Sequence, residues 1–187
     1  MNAGGSSGVS DRSRTPYVVV MGVTGTGKTT TGRLLATRLG VPFADADDFH
    51  SRANIAKMTS GIPLDDADRE PWLASVGYWL RDREAAGTGA VVACSALKRR
   101  YRDILRSFVP GIYFLHLTAE RPELLERLST RRGHFMPVSL LDSQLAGIEP
   151  LQEGERGTVV HSSRTPAEAV EAVAARLEEH AAPPDPD

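Results

Sequence analysis

Residues 22–29 read GVTGTGKT, and every fixed position of the phosphate-binding pattern G-x-x-x-x-G-K-[ST] is filled, from Gly22 to Thr29. The spacing has a chemical reason. Gly22, Gly25 and Gly27 let the backbone curl so that successive N–H groups point inward at phosphate oxygens, where side chains would obstruct the approach. Lys28 is set to reach the β and γ phosphates, and Thr29 offers a hydroxyl to Mg²⁺. The helix predicted to follow, TTTGRLLATRLG, adds its positive end to the anion site. The run Gly22, Val23, Thr24, Gly25, Thr26, Gly27, Lys28, Thr29 and Thr30 is therefore the expected contact set for a nucleoside triphosphate with its Mg²⁺.

A second cluster lies in FADADDFH, residues 43–50, which places Asp45, Asp47, Asp48 and His50 within six residues. In an extended chain Asp45 and Asp47 point the same way, so both can face the phosphate loop. One would help hold hydrated Mg²⁺ and the other would accept the proton of an attacking hydroxyl. Asp48 would face away and is expected to cap the next helix, FHSRANIAKM. His50 reads equally well as a satisfied residue at a helix start.

These residues need elements to hold them. Tyr17-Val18-Val19-Val20-Met21 is a short apolar, β-branched run of the kind buried in a parallel sheet, and Leu34, Leu35 and Leu39 recur after the loop at helical spacing. Further strands are predicted at Val41–Ala44, Ala90–Cys94, Ile112–Leu117 and Thr158–His161, with helical patterns between them and a last helix over Pro166–His180. This alternation predicts an α/β fold of three layers, a parallel sheet of about five strands with helices on both faces. Ligands then bind beyond the carboxyl ends of the strands, which is where both clusters fall.

Composition narrows the class. With 187 residues, 41% of them hydrophobic and 25% charged, the chain suits one well-filled domain, predicted over residues 16–180. The Gly/Ser-rich stretch 1–15 and the proline-rich, acidic stretch 181–187 are expected to be disordered tails. A net charge of −2 gives no general affinity for nucleic acid or an anionic membrane. The single cysteine, Cys94, sits in the apolar run AVVACSA and is expected to be a buried, unreactive thiol in a reducing compartment. No stretch has the length of a membrane span, and the N-terminus lacks the apolar core of a signal peptide, so the expected location is the cytoplasm.

Reading on, DADDFHSRANIAKMTSGIPLDDADREPWL, then CSALKRRYRDILR, then RLSTRRGHFMP follow the phosphate loop in order. With these blocks the chain resembles the gluconokinase family of small-molecule P-loop kinases, from Tyr17 to about Leu177. The resemblance implies a P-loop kinase fold with a mobile lid, here at about 127–137, and ATP-dependent phosphorylation of D-gluconate at its C6 hydroxyl to give 6-phospho-D-gluconate and ADP. Dimers are known in the family, so a homodimer is one expected assembly.

By position in the family pattern, Asp47 is the expected base and Asp45 the outer-shell metal group beside Thr29. His50, Arg52, Lys57, Ser95, Lys98, Arg102 and His134 are expected around the acceptor, whose carboxylate needs a cation and whose hydroxyls need hydrogen-bonding groups. Arg106 is expected on a solvated helix face, Trp72 in the core, and Asp68 as a cap for a helix starting near Pro71 and Trp72. The resemblance puts Arg127 against the adenine and Arg131, with Arg132, at the transferring phosphate, where they neutralise developing charge. Two alternatives stay open: a kinase of another small acceptor such as shikimate or a nucleotide, and a nucleotide-dependent sensor or assembly module. A binding module has no need of the carboxylate pair.

Overall fold

In a computed structural model that describes residues 15–130, 138–161 and 165–181, five parallel strands form one sheet. The chain runs through β1 (Tyr17–Met21), α1 (Lys28–Leu39), β2 (Phe43–Asp45), a 3₁₀ turn (Ala46–Phe49), α2 (Arg52–Thr59), α3 (Asp66–Ala86) and β3 (Ala90–Ala93). It continues through α4 (Arg99–Phe108), β4 (Tyr113–Thr118), α5 (Arg121–Thr130), α6 (Val138–Gly147), β5 (Gly157–His161) and α7 (Pro166–Ala181). The strand order is β2-β3-β1-β4-β5. The predicted strands are all present, with bounds shifted by one or two residues.

β1 is central, with Val19 paired to Val92 of β3 on one side and to Phe114 of β4 on the other. Sheet and helices explain its composition. Alternate side chains go to opposite faces, and both faces are covered, so every residue of β1 is buried. Val19 and Met21 pack with Trp72, Leu73, Val76 and Leu80 of α3 and Tyr101 and Leu105 of α4. Val18 and Val20 pack with Leu35 of α1 and with Val170 and Val173 of α7. Full burial of each such side chain is worth about 1.5–3 kcal/mol. Leu34, predicted on the buried stripe of α1, is instead 44% exposed. The space beneath α1 is narrow there: a Cβ on Gly32 would lie 2.7 Å from the Phe43 ring, so the helix turns its small residues to the sheet.

A third apolar cluster sits above the strand ends, where Leu124 of α5 and Leu141 of α6 close over Val23 and Leu97. It builds a roof over the phosphate loop.

Candidate active site

The loop between β1 and α1 takes the conformation its glycines permit. Gly22 has φ 148°, and a Cβ there would lie 2.4 Å from the carbonyl oxygen of Leu117. Gly27, at φ 88°, precedes α1 without a side-chain cap, so the first-turn N–H groups are left for an anion. Nothing lies within 4 Å of a Cβ on Gly27, so what demands glycine there is backbone φ. Lys28 Nζ donates to the carbonyl of Val23 at 3.1 Å, as does Thr26 Oγ1 at 2.8 Å.

Thr29 Oγ1 donates to Asp45 Oδ2 at 2.7 Å, tying α1 to the end of β2. The other carboxylate oxygen of Asp45 accepts the backbone N–H of Asp47 at 3.2 Å. The chain is not extended here, as the sequence reading assumed. Asp45 caps a 3₁₀ turn, and that turn brings Asp47 round to the same cleft. The cleft, of about 280 Å³, is lined by Thr24, Gly25, Gly27, Lys28, Thr29, Thr30, Asp45, Asp47, Ala93, Ser95, Arg127 and Leu128. Val23 and Thr26 lie buried behind it. Arg127, on the last turns of α5, reaches the carbonyl of Gly25 at 3.4 Å.

Asp48 does not cap α2. Ser51 does, accepting the N–H of Asn54 at 3.1 Å. Likewise α3 begins at Asp66, well before Pro71; Asp65 is its cap, and Asp68 completes a capping box by accepting the N–H of Asp65. Pro71 stands inside the helix, in its second turn, and so does not mark the start.

His50 stacks on Trp72 with ring centroids 4.4 Å apart, and its Nε2 lies 3.9 Å from Asp47 Oδ1. Burial pulls its pKa down; nearby Asp47 opposes this and nearby Arg69 adds to it. His50 is thus a neutral neighbour of Asp47. Trp72 is a core residue as expected, donating from Nε1 to the carbonyl of Ala46 at 2.7 Å and so pinning the turn that carries Asp47.

The expected cations are differently employed. Lys57 Nζ is held by both carboxylate oxygens of Asp68 at 2.7 Å, and Lys98 Nζ by Asp66 at 3.0 Å; these hydrogen bonds raise both lysines and lower Asp68, while Asp66 is lowered first by the hydroxyl of Tyr101 and then by Lys98. Arg52 is exposed at the start of α2. Arg102, expected at the acceptor, is completely buried: its guanidinium bonds Glu155 and the carbonyls of Leu97, Glu149 and Pro150, so no donor is aimed at the cleft. Arg106, expected to be solvated, bonds Asp103 and the carbonyl of Gly154. Cys94 is buried, and burial pushes its thiol well up. Arg131, Arg132 and His134 lie outside the described residues.

The shikimate kinase family model matches residues 24–178. The chain is 56% identical over 133 residues to a gluconokinase of Gluconobacter oxydans, a match covering 71% of this chain and 75% of that one. This chain belongs to the gluconokinase family. Among solved structures it is similar to a gluconokinase from Sinorhizobium meliloti (43% identity, TM-score 0.81, covering 90% of this chain and 94% of that one). It is also similar to an unliganded sugar kinase from Janibacter (48% identity, TM-score 0.84, covering 88% and 95%). The fold carrying the cleft is thus a P-loop kinase fold.

Two residues near the site, Gln144 and Glu149, carry no signal in those motifs, while Arg69 stands within them without a role assigned from sequence. Gln144 of α6 accepts the backbone N–H of Thr24 at 2.8 Å. Glu149 accepts the N–H of Arg99 at 2.6 Å, at the start of α4. Arg69 donates Nε to the carbonyl of Leu64, and no carboxylate pairs with it among the described residues. Its charge bears on His50, on Tyr101 and on Cys94, the residue before Ser95. No described helix is long and apolar enough to cross a membrane.

Proposed function

We propose that this protein transfers the γ-phosphoryl group of ATP to the C6 hydroxyl of D-gluconate, releasing 6-phospho-D-gluconate and ADP. The observation that carries the reading is the chain Thr29–Asp45–Asp47, which sets two carboxylates beside a complete phosphate loop. Strong identity to gluconokinases supports the acceptor.

The donor set of Thr29 and Asp45 is all hard oxygen, which fits Mg²⁺. No group of three or more acidic, histidine or cysteine side chains among the described residues forms an all-protein cage, as expected for an ion held largely by phosphates and water. Mg²⁺, when bound, would supply positive charge that offsets charge on the phosphates. Thr29 would supply its hydroxyl and Asp45 an outer-shell contact.

Asp47 takes the proton of the acceptor hydroxyl as that oxygen bonds to the γ-phosphorus and the bond to the β–γ bridging oxygen breaks. His50, neutral and close to Asp47, restricts where that carboxylate can go. Lys28 exchanges the Val23 carbonyl for phosphate oxygens. The backbone N–H groups of the loop hold the β phosphate, Ser95 and His50 offer hydrogen bonds to acceptor hydroxyls, and Arg127 packs against the adenine. Arg69 anchors the acceptor carboxylate, because Lys57, Lys98 and Arg102 are each already paired. Arg131 meets the transferring phosphoryl group and His134 the acceptor. The kinase domain spans residues 16–180, works in the cytoplasm, and assembles as a homodimer.

The test is a coupled ADP-release assay with Mg·ATP across D-gluconate, shikimate, nucleoside monophosphates and glucose. Turnover of gluconate far above the others is expected. Comparable kcat/KM for gluconate and glucose, which lacks the carboxylate, would remove the acceptor assignment.

A further inference from the structure

α6 presents Leu141 and Leu145, four residues apart on one face, and with Ile148 just beyond its end they pack in one cluster with Val23 of the phosphate loop. Gln144 stands on that same face. A polar side chain in an apolar stripe costs free energy unless its hydrogen bonds are met, and here the amide oxygen accepts the N–H of Thr24 at 2.8 Å across 120 residues of sequence. The next residue is held from the other side, where Arg127 of α5 donates to the carbonyl of Gly25. One backbone group on each of two successive loop residues is thus fixed by a side chain from outside the loop.

The far end of α6 is itself anchored. Glu149 binds the carbonyl of Leu97 through its N–H and the N–H of Arg99 through its carboxylate, and buried Arg102 binds the carbonyls of Glu149 and Pro150. Gln144 does not line the cleft, so it cannot serve as a phosphate ligand in this geometry. We propose that Gln144 is a positioning residue for the nucleotide phosphates: it occupies the Thr24 amide and fixes the orientation of the loop's front half, so that the remaining N–H groups converge on phosphate. This rests on the reading of the loop as a nucleotide site, and it is independent of which acceptor the enzyme uses.

Gln144→Leu keeps the bulk and removes the acceptor. It is expected to weaken Mg·ADP binding by about tenfold, as loss of one half-buried hydrogen bond would. The KM for gluconate should stay within about twofold of wild type. By NMR hydrogen exchange the Thr24 amide should lose protection while the amides of β1, β3 and β4 keep theirs. Gln144→Glu, which retains an acceptor of the same length, should restore Thr24 protection. Wild-type Mg·ADP affinity in Gln144→Leu overturns the proposal, as does loss of protection spread evenly over the sheet, which would make Gln144 a packing residue only. Since the readout is nucleotide binding, absence of gluconate turnover in the wild type would remove the acceptor assignment and leave this result standing.

Discussion

Arg102 Nε meets Glu155 Oε1 at 2.6 Å, and neither side chain exposes any surface to solvent. Burial alone would raise Glu155, but the hydrogen bonds from Arg102 and from the Gln152 N–H, with the arginine charges, outweigh it, and its pKa lies below the usual range. Removing one member of such a pair leaves an uncompensated buried charge, which costs about 3–5 kcal/mol. Arg102→Met is therefore expected to lower the urea midpoint by the equivalent of that amount, and Arg102→Met with Glu155→Leu should recover much of it. A single variant as stable as wild type, with a raised gluconate KM, would return Arg102 to the acceptor site.

Asp47 and Asp48 are adjacent on one 3₁₀ turn, but only Asp47 lines the cleft. Asp47→Asn should lower kcat by something on the order of a hundredfold with little change in Mg·ADP affinity, since a general base contributes to the chemical step. Asp48→Asn should be nearly silent. The reverse pattern in steady-state kinetics would show that the turn presents the other carboxylate.

Arg69→Lys keeps a charge but loses the planar fork that matches a carboxylate. The gluconate KM should rise by about tenfold or more while the KM for ATP stays near wild type. An unchanged gluconate KM would mean that another cation reads the carboxylate.

His116, on β4, is 5% exposed, and neither ring nitrogen has a hydrogen-bond partner among the described residues. Burial, with a smaller contribution from the Arg102 charge, lowers its pKa from 6.5 to about 4. Because the folded pKa is the lower one, the unfolded chain binds more protons in between. Protonation of His116 therefore contributes no penalty above about pH 6.5 and destabilises progressively as pH falls to about 4, by on the order of 3 kcal/mol at the limit. Urea unfolding of wild type and His116→Leu should diverge in pH dependence across that window. Parallel curves would show that the imidazole is not held neutral.

The fold class and the phosphate-loop motif were legible in the sequence. A phosphate loop is local: Gly22 through Thr29 are contiguous, and the positive φ of Gly22, Gly25 and Gly27 and the following helix need no distant partner to be foreseen. Alternating apolar strands and helices likewise fix a parallel sheet, because each strand must be covered on both faces. Motif order was enough to name the family. What tertiary structure decided was which charges are available to do work. Lys57, Lys98 and Arg102 stand in the family motifs as Arg69 does, but Asp68, Asp66 and Glu155 neutralise them at short range, and those partners lie 11, 32 and 53 residues away. Arg69 is left beside His50. Likewise Gln144 reads as one polar residue in an apolar helix until α6 is laid over the loop. Pairing of charges and satisfaction of buried amides depend on distances through space, and no spacing along the chain reports them.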